Sequence, residues 1–231
     1  MKKFIEKHEM SFCIVMIVLY LIINSFCIEN YGVTNYRSAI INTVFSSILI
    51  LIIIILKRIS YYGLTKVQDL KKYLYFIPLL LIISINLWNG ININNSKSEI
   101  IFYIFNMINI GFIEEIIFRG FLFKMIAKDN IKCAIIVSSV TFGIGHIINL
   151  FMGENLIPTL LQVCYAISIG YLFVIIFHKS KSLIPCIITH SLVNALSIFN
   201  VNTELSLYIS SIFLIIVPFI YSVYINNNVK E

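Results

Sequence analysis

Apolar residues fill eight long runs of the chain, and short polar segments separate these runs. A helix needs about 20 apolar residues to cross the hydrocarbon core of a bilayer, so runs near this length predict membrane-spanning helices. The third run is short and the fourth is long, and we expect the fourth helix to tilt or to project from the membrane. The predicted spans cover residues 10–28, 38–56, 73–88, 99–127, 131–151, 157–177, 182–200 and 205–224.

The composition agrees with a polytopic membrane protein. We therefore predict an all-α fold, in which about eight transmembrane helices form a bundle. The chain is 59% hydrophobic and 12% charged, whereas soluble domains are about 25% charged. We therefore predict a single integral membrane domain over residues 1–231 that is surrounded by membrane lipid, with the residues of chemical interest at about 99–200. The five cysteines lie in apolar runs without CxxC spacing, so we expect reduced packing residues.

The basic residues indicate the orientation of the bundle. If there are eight spans, both termini lie on one side, and the tails and loops of that side carry fourteen lysines and arginines against two on the other. The positive-inside rule then places both termini in the cytoplasm. The net charge of +6 thus reflects topology and does not indicate a nucleic-acid partner. The abundance of Ile, Asn and Lys favours a bacterial cytoplasmic membrane as the location.

The fourth predicted span contains the sequence FIEEIIFRGF, residues 112–121. A charge near the bilayer centre costs at least ~2.5–3.5 kcal/mol, so ionisable residues at this depth indicate a functional site. Glu115 and Arg119 are four residues apart and share a helix face, where they are expected to pair. Glu114 is rotated by about 100° and has no partner on its own helix. The structural alternative is a buried ion pair with an additional carboxylate near the interface.

Two further polar clusters lie on other predicted spans. His146 belongs to FGIGH, and His190 and Asn194 belong to HSLVN. At ~1.5 Å per residue, Glu114, His146 and His190 lie roughly 21, 21 and 13 Å from the nearest lysine-rich loops. Such depths suit one buried polar site, although a hydrogen-bonded core histidine or helix–helix hydrogen bonds would explain each cluster separately.

Taken together, EEIIFR, FGIGH and HSLVN resemble the motifs of the CPBP family of intramembrane proteases, EExxxR, FxxxH and HxxxN. That family includes the CAAX prenyl endopeptidases and the bacterial Abi proteins, which are linked to bacteriocin processing and self-immunity. The resemblance implies a helical bundle that hydrolyses peptide bonds in a cavity open to the cytoplasm. It also implies a peptide or protein substrate that is membrane-associated or CAAX-like.

A peptidase without a serine or cysteine nucleophile must activate water with a general base and must stabilise the oxyanion. On the resemblance, Glu114 is the expected base, His146 positions the water, and His190 and Asn194 stabilise the oxyanion. Glu115, Arg119 and Phe142 support this arrangement. The open alternative is a metalloprotease in which Glu114, His146 and His190 bind a divalent metal, zinc, as the cofactor; residue spacing does not decide between the two.

Two other functions use the same polar residues. One is a bacteriocin self-immunity protein or peptide-binding membrane protein that needs no turnover. The other is a transporter in which the carboxylates relay protons or cations, although the chain has no obvious inverted repeat. The complete set of motifs favours the protease.

Overall fold

The computed structural model describes residues 2–67, 75–201 and 203–229, with side chains from Ile5 onward in these ranges. The described chain is organised as α-helices joined by short connections. The helices are α1 (Lys2–Lys7), α2 (Glu9–Tyr31), α3 (Tyr36–Leu56), α4 (Leu79–Ser84), α5 (Lys97–Glu115), α6 (Lys124–Ile126), α7 (Ile131–Gly145), α8 (Ile148–Phe151), α9 (Leu156–Ser180), α10 (Ile184–Leu196) and α11 (Glu204–Asn228).

In the described part of the chain, six helical segments are long and apolar enough to cross a membrane. They correspond to predicted spans one, two, four, five, six and eight. The chain is thus all-α and a multi-pass membrane protein. The predicted third span begins outside the described residues, and its described part is α4 followed by the 3-10 helix Ile85–Leu87. The predicted seventh span is the shorter apolar segment Ile184–Phe199.

The bundle buries its centre and leaves an apolar outer surface. Helix α9 packs most extensively against α7 and α11, while α5 packs against α3 and α10. Large aliphatic side chains on the outer helices remain exposed, including Ile22 on α2, Leu51 on α3 and Ile220 on α11, with 60%, 56% and 62% of their surface accessible. Apolar surface of this extent on several helices is suited to contact with lipid tails rather than water.

The fourth predicted span is the longest helical segment, 30 residues from Lys97 to Ile126. It begins with a capping box in which the Ser96 hydroxyl accepts from the Glu99 backbone N–H and the Glu99 carboxylate accepts from the Ser96 N–H. After Glu115 the helix changes to a π-helix, Ile116–Phe123, and all of these residues are buried. Short π-helical segments inside α-helices are frequent at functional sites.

A close approach between α7 and α9 depends on the absence of a side chain at Gly143. A Cβ atom there would lie 2.9 Å from both the Ile167 backbone nitrogen and the Val163 carbonyl oxygen. Such distances are shorter than van der Waals contact, so any larger residue would push the two helices apart. A Cβ atom on nearby Gly145 would meet no atom within 4 Å.

These two glycines provide a matched test of the packing. We expect Gly143→Ala to destabilise the bundle by about 1–3 kcal/mol, because overpacking at a backbone contact forces the helices to shift. Gly145→Ala is the control and should leave stability close to that of the wild type. Thermal unfolding of the two purified variants in detergent measures the difference. Equal melting temperatures for the two would contradict the proposed contact between α7 and α9.

Candidate functional site

The π-helical turn places a buried ion pair at the centre of the bundle. Arg119 Nη1 donates to Glu115 Oε1 at 3.1 Å, and both side chains have no accessible surface. The same Glu115 oxygen accepts from His190 Nδ1 at 2.8 Å. The pairing of Glu115 with Arg119, predicted from their spacing, is confirmed. The contact with His190 was not predicted, and it makes Glu115 part of the histidine's environment as well as a structural partner.

Glu114 points away from Glu115 and finds its partners on other helices. Its Oε2 lies 3.2 Å from His190 Nε2, and its Oε1 accepts a hydrogen bond from the Tyr20 hydroxyl of α2. The sequence indicated no partner on its own helix, and both partners here are non-local. Tyr20 was missed because it is one aromatic residue in an apolar span, with no spacing relation to any motif.

The cluster of Glu114, Glu115, Arg119 and His190 can be neutral as a whole. Two carboxylates carry two negative charges and the guanidinium carries one positive charge. One further proton, held on His190 or on Glu114, balances the remaining charge. His190 Nδ1 faces Glu115 at 2.8 Å and Nε2 faces Glu114 at 3.2 Å, so a proton on Nε2 would point at the Glu114 carboxylate. A neutral cluster avoids the large penalty of an uncompensated charge in an apolar interior.

Aromatic rings enclose the positive end of the cluster. The Arg119 guanidinium carbon lies 4.1 Å from the centroid of the Phe142 ring and 5.7 Å from that of Phe173. Within the described residues, Arg119 Nε and Nη2 and Glu115 Oε2 have no hydrogen-bond partner. Cation–π attraction stabilises a desolvated guanidinium by about 2 kcal/mol or more, and this offsets part of the free-energy cost of the missing hydrogen bonds.

Phe142 also connects the two histidines. Its ring packs edge-on against His146 and His190, with centroid distances of 5.3 and 5.7 Å. His146 Nδ1 lies 3.1 Å from the Phe142 carbonyl oxygen, one turn earlier on α7. That carbonyl fixes Nδ1 as the protonated nitrogen, and Nε2 is the remaining acceptor in the neutral ring. Phe142 thus holds both imidazoles and covers Arg119.

A second close helix contact brings the cluster together. A Cβ atom on Gly111 would lie 2.9 Å from the Ser191 backbone nitrogen and 2.6 Å from its hydroxyl. Gly111 is therefore the residue that lets α5 and α10 approach, one turn before Glu114 and beside His190. The Ser191 hydroxyl also donates to the Ile108 carbonyl across the same contact, at 3.2 Å.

A cavity of about 360 Å³ begins at the histidines. Such a volume is within the range of small-ligand pockets. His146, His190, Asn194 and Phe142 line it, so residues of two of the three motifs reach this cavity. Glu114 is 8% exposed and meets the cavity through His190. The remaining described lining residues are Ile82, Ile85, Asn86, Asn89, Gln162, Tyr165, Ala166, Ile169, Phe173, Val193, Ser197, Asn200, Ser206, Leu207, Ser210, Ser211 and Leu214.

The rim of the cavity corrects one expectation. Asn89, Gln162, Ser197 and Ser206 lie where α9 and α11 begin and α10 ends, which is the end of the bundle away from the lysine-rich connections. From the sequence, the lysine-rich loops and the cavity mouth were both expected on the cytoplasmic side. These two expectations do not hold together, because antiparallel helices carry the rim residues to the opposite end.

The described residues do not fit the zinc alternative. They contain no group of three or more histidine, cysteine, aspartate or glutamate side chains arranged to hold a metal ion. Both ring nitrogens of His190 face carboxylates, and His146 Nδ1 faces a backbone carbonyl. The predicted ligand set of Glu114, His146 and His190 is therefore not assembled around a common point.

Residues 96–196 match the family model described as type II CAAX prenyl endopeptidase Rce1-like. This segment is therefore similar to the Rce1-like family. It begins at the N-cap of α5 and ends with the last residue of α10, so it contains all three motifs and every residue of the charged cluster. Tyr20 and the rim residues on α4 and α11 lie outside it. Searches of curated proteins and of solved structures gave no match.

Glu115 is the shared acceptor of Arg119 and His190. We expect Glu115→Gln to destabilise the protein by about 3–5 kcal/mol, because removing one partner leaves a buried charge uncompensated. Thermal unfolding in detergent measures this loss. The control is Glu154→Gln at an exposed connection, which should not change the melting temperature. A Glu115→Gln protein as stable as the control would show that the pair does not hold the cluster.

Proposed function

We propose that the protein is an intramembrane endopeptidase in which Glu114 activates water and His190 stabilises the oxyanion at the inner end of the cavity. The observation that supports this most is the 3.2 Å contact between Glu114 Oε2 and His190 Nε2 beside the cavity. Proton transfer by positioned side chains accelerates hydrolysis by about 10²–10⁴-fold. The family match of residues 96–196 agrees with peptide-bond hydrolysis as the reaction.

The proposed reaction begins with Glu114 ionised and His190 protonated. Water takes a place between them and attacks the carbonyl carbon of the peptide bond, while its proton passes to Glu114. The oxyanion that forms accepts a hydrogen bond from the protonated His190, which Glu115 holds in position at 2.8 Å. Protonated Glu114 then gives its proton to the leaving nitrogen, the C–N bond breaks, and the resting charges are restored.

His146 and Asn194 have supporting roles in this proposal. Both line the cavity at the level of His190. The amide of Asn194, one helical turn after His190, supplies a second donor to the oxyanion. His146 Nε2 accepts from the attacking water and orients it. Donors fixed before the reaction stabilise developing charge most effectively, since they need no reorganisation.

We further propose eight spans in one integral membrane domain, with both termini in the cytoplasm. Counting α4 with its 3-10 helix and α10 with its 3-10 helix as spans gives eight, and the lysine asymmetry then follows the positive-inside rule. The proposed substrate is a membrane-associated peptide. A self-immunity protein that cleaves no peptide would use the same cavity. It differs from the proposed endopeptidase in that its protective effect would not require the Glu114 carboxylate.

Glu114→Gln tests the proposed chemistry directly. The amide keeps the size of the side chain but accepts no proton, so we expect cleavage to fall by at least about 10²-fold, the lower range of general-base catalysis. Comparative analysis of peptide termini in the membrane fraction, from cells with wild-type or variant protein, detects the lost cleavage. His190→Ala and His146→Ala should lower it as well.

Two comparisons complete this test. Glu154→Gln should retain full cleavage, and Glu114→Gln should still insert and unfold at a measurable melting temperature. Wild-type levels of the same cleavage products with Glu114→Gln would remove Glu114 as the base. Cells that remain protected against a bacteriocin with Glu114→Gln would instead support the immunity function without turnover.

The proposed reaction needs no metal. We expect the purified protein to keep its activity after prolonged chelation, because carboxylate and imidazole supply both the base and the oxyanion donor. Metal content and cleavage rate, measured on one chelated sample, check this expectation. Loss of activity that added zinc restores would favour the metalloprotease in place of this mechanism.

A further inference from the structure

The cavity is closed at the lysine-rich end of the bundle. Between the charged cluster and that end, every described residue of Ile116–Phe123 and of 172–177 is buried. Phe123 packs against Phe177 with a centroid distance of 5.8 Å. These two buried helical segments lie between the histidines and the lysines of the described residues.

A connecting segment strengthens this closure. Residues 57–67 fold over the ends of α9 and α10, where Gly63 accepts from the Leu183 N–H at 2.8 Å and Thr65 accepts from the Ser182 hydroxyl at 2.6 Å. The ring of Tyr62 packs edge-on against Phe121 at 5.1 Å, and Tyr62 is 6% exposed. Residues 57–67 thus cover the lysine-rich end of the bundle, and we call this segment the plug.

The opposite end is where the cavity opens. The C-terminal ends of α7 and α10 and the N-terminal ends of α9 and α11 meet there. The connection after α4 joins them, since the Asn92 N–H donates to the Phe199 carbonyl at 2.9 Å and Asn86 Nδ2 donates to the Val193 carbonyl at 2.8 Å. Asn89 on this rim is exposed.

The charges of the described residues distinguish the two ends. Arg58, Lys124 and Lys128 lie at the plugged end, where Lys128 pairs with Glu9 and Arg58 pairs with Glu6 at 2.8 Å. Arg37 and Lys97 lie at the ends of helices on the open side. Since lysine and arginine accumulate on the cytoplasmic side, the plugged end is cytoplasmic and the open end is not.

The wall of the cavity is polar without fixed charge. Among the described lining residues there is no Asp, Glu, Lys or Arg, and the two histidines are the titratable groups apart from Tyr165. Amides and hydroxyls occupy the outer part, with Asn86, Gln162 and Ser210 as examples. Side chains of this kind hydrogen-bond to the N–H and C=O groups of an extended peptide.

The same wall is unsuited to a free terminal carboxylate. Arg119 has no accessible surface, and Phe142 covers its guanidinium face at 4.1 Å. A carboxylate that lost its water in this cavity would meet no arginine or lysine from the described lining residues, and His190 already faces Glu114 and Glu115. An unpaired buried charge is costly. The wall therefore favours an uncharged internal segment over a charged chain end.

We propose that the cavity receives its peptide from the extracytoplasmic face, and that this peptide is membrane-anchored with an uncharged segment exposed on that face. The substrate part of this proposal rests on the proposed endopeptidase function. A peptide that has already been inserted into or moved across the membrane meets both requirements. The class of reaction that supplies such a substrate is membrane insertion or export.

Cysteine labelling tests the orientation without any assumption about catalysis. In a background with the five native cysteines replaced by alanine, Asn89→Cys places a thiol on the cavity rim and Lys66→Cys places one beside the plug. A membrane-impermeant maleimide added to right-side-out vesicles should label position 89 directly and position 66 only after permeabilisation. The opposite pattern would overturn the proposed side of access. Both positions are exposed, so a difference in their labelling reports the side of the membrane on which each thiol lies.

Peptide termini test the substrate class. Termini that depend on Glu114, compared between wild type and Glu114→Gln, should map to uncharged segments at the extracytoplasmic ends of membrane-anchored proteins. Glu114-dependent termini on the cytoplasmic side, or at charged C-terminal ends, would overturn the proposal. If no terminus depends on Glu114, the endopeptidase function fails and the substrate class with it, while the labelling result still decides the orientation.

Discussion

Two adjacent carboxylates in an apolar bundle must be neutralised, and the arrangement of the central helices follows from this requirement. Glu115 is compensated by Arg119 on the same helix, and Glu114 contacts His190 from α10. A single unpaired charge at this depth would cost at least ~2.5–3.5 kcal/mol. The four ionisable groups therefore act as one neutral unit, whose members depend on each other for stability.

This neutral unit needs close contacts between helices. Gly111 lets α5 approach α10, which carries His190, and Gly143 lets α7, which carries Phe142, approach α9. Hydrogen bonds and ion pairs have to form at fixed distances, whereas packing against lipid is tolerant of shifts. Small residues at these two contacts give the backbone approach that the polar distances require.

The position of the cluster also relates the chemistry to the shape of the cavity. Water that reaches His190 and Glu114 enters through a mouth lined by amides and hydroxyls, and the aromatic plug excludes it from the other end. Electrostatic interactions are stronger where water is limited, so the closed inner end favours proton transfer between carboxylate and imidazole. Residues 96–196, which match the Rce1-like model, contain the charged cluster, while α11 and the connection after α4 supply part of the mouth.

The sequence alone determined the membrane setting, the positions of most spans, the pairing of Glu115 with Arg119 and the three motifs that form the site. Hydrophobic periodicity and spacing within one helix are local properties, so they can be deduced from the chain. Only the tertiary structure decided that Tyr20 contacts Glu114, that Glu115 holds His190 and that the cavity opens away from the lysines. These features depend on which faces of antiparallel helices meet, and residues far apart in sequence carry no local signal of such a contact.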